Sequence, residues 1–406
     1  MQLHAFACAL AALVAFAAPG KATPAPAVAA SADREQQVQD EVVAAANAFS
    51  VRLYQAVAAE GGNVVISPVS AAVLLALTRH GARGVTEQQL THALQLSPDL
   101  QATAAGYKAL LDTLQHSSGK ATLRSANMLF AERNFRLQDG FRRVATGSYK
   151  AGAGELDFRS NPEGSRAVIN RWTEQYTEGR IKELFEPGII TEETVLVLAN
   201  AIYFKAGWFK PFQTEDTRLQ PFYVSDTSLI NVPTMFGMFQ MYYGEIPALD
   251  AKAVKLEYNE DNMDMTILVP NTPSGLSRLE AGLGQLNLAD LTPEYAEVHL
   301  SIPKFKIESN HRLKGKLEQL GIVDVFTLAA DLSNMADPGL YVSDIVQKTF
   351  IGVDENGTEA AVATGQNFFL RTSFARRYVK ADRPFLFLIH RKNVTLFMGR
   401  VVQPGS

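Results

Sequence analysis

Cysteine is nearly missing from this chain. Cys8 is the only one, and it sits inside the opening apolar run from Ala5 to Ala18. A lone thiol excludes disulfide staples and thiolate metal clusters, so stability has to come from packing over a large core. Histidine is sparse as well: the seven, at positions 4, 80, 92, 116, 299, 311 and 390, show no HExxH or comparable ligand spacing. No GxSxG elbow and no Asp-x-Asp-x-Asn loop ending in glutamate accompany them, so neither a secreted hydrolase nor a metal site has a foothold. Gly152-Ala153-Gly154 lacks the third glycine of a dinucleotide fingerprint and reads as a turn. Charge of one sign is lacking too, because 38 basic and 42 acidic residues nearly cancel to a net −4. That balance excludes a bulk field able to gather nucleic acid or coat an anionic membrane, and neither is an expected partner.

Apolar surface, by contrast, is plentiful at 47% of residues. The Ala5–Ala18 run is too short to span a bilayer and is succeeded by small residues, with cleavage expected after Ala18, Ala22 or Ala30. Residues 1–34 are therefore expected to be a signal peptide and disordered leader, and the protein to be secreted, extracellular or periplasmic. No repeat, linker or shift of composition interrupts the remainder of the chain, so residues 35–406 are expected to form a single α+β domain.

Periodicity predicts helices at about Asp40–Ala59, from Pro68 through Leu77 with Ser67 as its cap, and at about Thr86–Leu96, Leu100–Gln115, Asp139–Tyr149 and Pro162–Glu178. Two more are expected at about Leu276–Gly284 and Arg312–Leu320. Strands are predicted at Ala121–Phe130 and Thr194–Lys205, the latter apolar on both faces as a central strand should be. From Pro221 the chain is mostly strand, including Ala253–Leu256, Met263–Val269, Glu297–Ile307, Leu340–Val353, Pro384–His390 and Val394–Val401.

One segment is oddly bland. Val353 to Gly365 reads VDENGTEAAVATG, where a strand gives way to an acidic pair, a glycine and small residues. In an extended chain Thr358, Ala360, Val362 and Thr364 share one face, and Glu359, Ala361, Ala363 and Gly365 the other. A face so small and nearly apolar suits a strand that slides between two others, whereas bulk or charge there would clash or cost desolvation.

The chain resembles the serpin family, large protease inhibitors whose loop inserts into a β-sheet after cleavage. The resemblance rests on NVVISPVS at Asn63–Ser70, GARGVTEQQL at Gly81–Leu90 and INRWTEQYTEGRIKELF at Ile169–Phe185. It continues through LANAIYFKAGWFKPF at Leu198–Phe212, IPKFKIES at Ile302–Ser309 and LGIVDVF at Leu320–Phe326. DENGTEAAVATG at Asp354–Gly365 and RPFLFLIHRKNVTLFMGRVVQP at Arg383–Pro404 complete it. It implies a large central mixed sheet with two further sheets, about eight or nine helices, and an exposed reactive-centre loop at about residues 355–378.

Further implications are residue by residue. Counting the family's usual seventeen residues from the hinge glutamate Glu355 places the bait bond at Arg371–Thr372. Arginine there suits trypsin-like serine proteases through paired charged hydrogen bonds. A shift of one residue, to Leu370, would suit a chymotrypsin-like target, and papain-like cysteine proteases also tolerate Arg after an apolar residue. Phe368, Phe369 and Leu370 would fill adjoining subsites, with Arg376 and Arg377 adding positive charge beyond the bond. The hinge would comprise Glu355, Gly357, Thr358, Glu359, Ala360, Ala361, Val362, Ala363 and Thr364. Thr358 is small and uncharged, which argues against a non-inhibitory member, and Val362 replaces the usual alanine. Ser67, Ser70 and Asn200 match a shutter cluster under the sheet, with Gln347 where histidine is common. Lys304 and Glu355 match a pair closing the sheet's top. The resemblance implies no catalysis, no metal and no cofactor, since the target's own machinery does the chemistry, and a monomer. Between Thr86 and Lys120 the only lysines are Lys108 and Lys120, with no arginine, so no strong polyanion activation is expected.

Overall fold

The computed structural model describes residues 26–115, 120–287, 291–337, 339–358 and 376–405. Helices dominate the first half: α1 Pro26–Ala58, β1 Val64–Ile66, α2 Pro68–Gly81, α3 Gly84–Leu94 and α4 Leu100–Gln115. Next come β2 Ala121–Glu132, β3 Arg136–Leu137, α5 Asp139–Gly147, β4 Gly152–Leu156, α6 Pro162–Tyr176 and β5 Leu196–Gly207. Strands then prevail in β6 Arg218–Ser225, β7 Ser228–Ile246, β8 Ala251–Glu257, β9 Met263–Pro270, α7 Leu276–Gly282, β10 Glu294–Pro303, β11 Phe305–Arg312 and α8 Lys314–Gln319. The chain closes with β12 Ala336–Asp337, β13 Asp344–Asp354, β14 Gly357–Thr358, β15 Arg376–Lys380, β16 Phe385–Arg391 and β17 Val394–Val401.

Two large sheets carry the architecture, and α2 packs against β2 and β5 of one and β17 of the other. Its near-complete burial explains the continuous apolar run from Ala71 to Leu77. The six-stranded sheet has the order β11-β13-β14-β5-β2-β4, with β13 also pairing β5 directly. It is mixed, because β13 runs parallel to β5 and β2 parallel to β4 while its other pairs are antiparallel. On its outer face Ile169 and Trp172 of α6 pack over Phe130, Val197 and Ala199. The nine-stranded sheet runs β1-β17-β16-β9-β8-β7-β10-β15, with β6 pairing off β7, and β12 and β3 form a third sheet. Among the described residues these three sheets are joined by eight α-helices.

Four expectations need correction. The helix α1 extends back to Pro26, inside the segment expected to be a disordered leader; alanines and Glu, Gln and Arg are good helix formers and carry the helix outward. Glu297–Ile307 is not one strand. It breaks between Pro303 and Phe305, where the Lys304 N–H donates to the Pro233 carbonyl, and its halves join different sheets. Gly152–Gly154 is not a turn but part of the edge strand β4, where a Cβ on Gly152 would collide with the Met128 sulfur. The Ser67 hydroxyl does not cap α2; it turns away to Ser70 and to the Leu396 carbonyl.

Candidate functional site

The hinge begins where β13 ends. β13 and β5 pair in parallel from Asp344 opposite Val197 up to Phe350 opposite Tyr203, and there they part. Into the cleft turns the chain itself: after Glu355 and Asn356, Gly357 and Thr358 pair antiparallel with Asp354 and Val353 on one side and with Gly207 and Ala206 on the other. The segment expected to be exposed loop from residue 355 is thus strand and turn as far as Thr358, and Thr358 is fully buried. At the far end Arg376–Tyr378 belong to β15, and their charges are compensated, Arg376 by Glu297 at 3.1 Å and Arg377 by Glu294 at 2.9 Å. Glu359, Ala360, Ala361, Val362, Ala363, Thr364, Phe368, Phe369, Leu370, Arg371 and Thr372 lie outside the described residues.

Local chemistry dictates the wedge. Gly357 has φ +147°, and a Cβ there would run into the Ala206 carbonyl oxygen, so only glycine turns the chain this close to β5. The Thr358 hydroxyl meets the Tyr258 hydroxyl at 2.7 Å, and Tyr258 is stacked on Trp208 with ring centroids 4.6 Å apart. Trp208 donates its indole N–H to the Asp354 carbonyl at 3.0 Å and its backbone N–H to the Asn356 carbonyl at 2.9 Å. Burial drives the Tyr258 phenol far above its usual range, so it remains a neutral hydroxyl able to donate or accept. None of Tyr258, Trp208 and Thr217 is singled out by its spacing in the sequence, although the Trp208 segment falls within a matched motif.

Glu355 fastens the turn from above. Its carboxylate accepts from the Lys304 ammonium at 2.8 Å and from the Thr217 hydroxyl at 2.7 Å, and the Phe212 N–H donates to its carbonyl at 2.9 Å. Burial pushes this carboxyl upward, but the Lys304 and Thr217 hydrogen bonds outweigh it and hold the group below its ordinary value. Sequence alone leaves these as two surface charges, whereas Glu355 is buried and Lys304 half-exposed.

Lower in the seam the four shutter residues come together. The Gln347 amide donates to the Ser67 carbonyl and to Asn200 Oδ1, both at 2.8 Å, and its Oε1 accepts from the Ser67 N–H at 2.9 Å. Ser67 Oγ bonds Ser70 Oγ at 3.1 Å and the Leu396 carbonyl at 2.8 Å. The cluster also takes in Asn127, which accepts from Asn200 at 2.8 Å, and Ser125, 3.0 Å from Ser70. All four shutter side chains are buried and partnered, as polar groups under a sheet must be. Among the described residues no group of three or more His, Cys, Asp or Glu is placed to hold a metal ion.

Comparison with known proteins agrees with this geometry. The family model "Serpin (serine protease inhibitor)" matches residues 44–404. A leukocyte elastase inhibitor of Xenopus tropicalis is 35% identical over 84% of this chain and 93% of its own length. Serine protease inhibitor 42Dd of Drosophila melanogaster is 37% identical over 84% of this chain and 91% of its own. Among solved structures, Serpin48 of the insect Tenebrio molitor superposes with a TM-score of 0.82 at 34% identity, covering 90% of this chain and 98% of that one. With the fold, the wedge under the sheet's top and the sequence match in accord over nearly its whole length, the chain belongs to the serpin family of serine protease inhibitors.

Proposed function

We propose that this serpin is an exported, monomeric suicide substrate of trypsin-like serine proteases, with Arg371–Thr372 as its bait bond. The observation that supports it best is the register of the wedge. If the strand continued past Thr358, each further residue would move one step down β13 and one step down β5. Both registers, so extended, would bring Asn367 between Asp344 and Val197, the bottom rung of the parallel seam. The two pairings are thus compatible with one inserted strand of residues 359–367.

The side chains fit that strand. On the inward face Ala360 would lie between Ile351 and Phe204, Val362 between Thr349 and Ile202, and Thr364 between Gln347 and Asn200, all buried now. On the outward face Ala361, Ala363 and Gly365 would pass beneath α6, where small residues are needed. Insertion would exchange one parallel pairing for two antiparallel ladders, which are slightly more stable per residue. Strand addition of this sort, of which serpin loop insertion is a recognised instance, supplies the driving force.

In the proposed reaction the protease serine attacks the Arg371 carbonyl, the bond to Thr372 breaks and its amine leaves, giving an ester to the protease. Insertion of the freed hinge then drags the tethered protease away and distorts its active site. Loss of one oxyanion donor alone slows such chemistry by about 10² to 10³, so deacylation stalls. No cofactor is required. The elastase named in one relative's description favours a second reading, a cut after Leu370, one residue upstream. Incubation with trypsin decides: an SDS-stable complex and a released peptide beginning at Thr372 are expected, and Arg371→Ala should lose both. Simple degradation of the protein would sink the reading.

A further inference from the structure

The wet face of the sheet beside the bait segment is only partly polar: Gln240, Glu297 and Arg376 cross it in one row, with aromatic and apolar side chains on either side. β7 carries Phe236, Met238 and Tyr242 outward at alternate positions, β10 carries Tyr295, and β15 carries Tyr378. Their exposures are 38%, 49%, 41%, 46% and 57%. Strand register sets them side by side: Tyr295 is opposite Tyr242, and His299 stands between Met238 and Tyr378. Ring contacts tie the rows together, with Tyr242 and Tyr295 at 5.2 Å and His299 and Tyr378 at 4.8 Å. The opposite side of β7 is already filled by Met235, Phe239, Met241 and Tyr243 in the core. An antiparallel strand with one face in water normally alternates apolar and polar, so apolar side chains on both faces call for a second partner.

We propose that this face is a docking surface for the protease seated on the bait loop, a reading that rests on the proposed function. Covalent geometry carries the occupant's identity. β15 begins at Arg376, four residues after Thr372, so the scissile bond is tethered within about 14 Å of the edge of this face whatever path the chain takes. A globular protease is tens of ångströms across, larger than that tether, so a protease holding the bond has this face within its reach. A specific interface takes about 800 Å² from each partner, and sheet surface within reach of the tether can add to what the bait segment itself buries. Tyr and Met are favoured at such contacts. Along the edge strand Arg376 is paired with Glu297 while Lys380 stands exposed, so the margin of the face offers both signs of charge to a partner.

The test uses the full chain with trypsin and with trypsin made inert by replacing its catalytic serine with alanine. Tyr378→Asp combined with Met238→Asp should slow association with active trypsin by about tenfold or more, while the moles of inhibitor consumed per protease stay the same. Tyr378→Ala alone, gentler on the fold, should slow it less, with an unchanged thermal midpoint. In the complex with inert trypsin, Tyr242, Tyr295 and Tyr378 should be protected from chemical nitration. Association within twofold of the parent, or tyrosines as reactive in the complex as in the free protein, overturns the docking surface and leaves the bait bond standing. A parent that is neither trapped with trypsin nor cut at Arg371 overturns both. If the double variant instead abolishes a dimer without altering association, the face belongs to a second copy and the proposal falls.

Discussion

The two large sheets draw on the same apolar residues and differ in how their strands are joined. In the nine-stranded sheet β16 lies between β9 and β17 in antiparallel ladders, and Phe385 to Ile389 are fully buried among apolar neighbours. In the six-stranded sheet the seam between β13 and β5 is parallel, stops at Phe350 and Tyr203, and is backed by Ser67, Ser70, Asn127 and Gln347. Apolar packing is lost when its partners separate, whereas a hydroxyl or amide can exchange one hydrogen bond for another. Under the proposed insertion, the buried and internally satisfied polar cluster amid the apolar residues of this seam is the part that can re-pair as the strands separate.

Thr358→Arg should break the contrast outright. A guanidinium in the fully buried Thr358 site, against Tyr258, carries a desolvation penalty of about several kcal/mol with no carboxylate to offset it. The sheet should then behave like its closed neighbour: no SDS-stable complex with trypsin, and no rise in thermal midpoint after the loop is cut. A variant that still traps would contradict the wedge as the starting point of insertion.

Gln347→Leu should come next. It strips partners from the Ser67 N–H and Asn200 Oδ1, while the Ser67 carbonyl keeps the Ala71 N–H; at about 1–3 kcal/mol for each of the two buried groups left unpaired, urea unfolding should show a loss of about 2–6 kcal/mol. The same exchange in a purely apolar seam would be nearly neutral, so a small loss would erase the distinction between the sheets.

A gentler probe is acid. Because the Glu355 carboxyl is held below its ordinary value of 4.5, its contribution to stability is complete above that pH and is lost as pH falls through the lowered value. The thermal midpoint of the parent should exceed that of Glu355→Gln by a constant gap from about pH 6 to 8, closing below about 4.5. A gap that widens in acid would mean that the Lys304 contact does not hold the turn.

The smallest change expected is Tyr258→Phe, which removes one hydroxyl from the pair at Thr358 and about 0.5–1.5 kcal/mol with it. Amide exchange at Thr358 should quicken while β16 is untouched. Equal exchange in both sheets would show that the pair does not pin the wedge.

Much of the fold is legible in the chain's residues alone. The limits of α4 and β17 can be read to the residue, because an amphipathic apolar stripe and a continuous buried run are strong local signals. Face alternation from Thr358 onward marks a segment suited to insertion, and the family's motifs point to the shutter. The break at Lys304 is hidden because Ile302 and Phe305 continue an apolar pattern that says nothing of which sheet each half joins. The depth of the wedge is hidden for a related reason: a threonine after a glycine looks like loop, and its burial depends on Tyr258, distant in the chain. Likewise the outward row of Phe236, Met238 and Tyr242 cannot be told from a core strand until the sheet shows which side is already full.

Gln347 has one more consequence. A carboxamide both gives and receives hydrogen bonds and has no protonation step in water, so three seam contacts are held by a group that never changes charge. Its register partner His311 is itself pushed toward the neutral form by burial. Imidazole at position 347 would have tied the parting of the seam to the acidity of its surroundings. With an amide there, position 347 itself adds no pH dependence to the parting of the seam, and what dependence there is falls to groups such as Glu355.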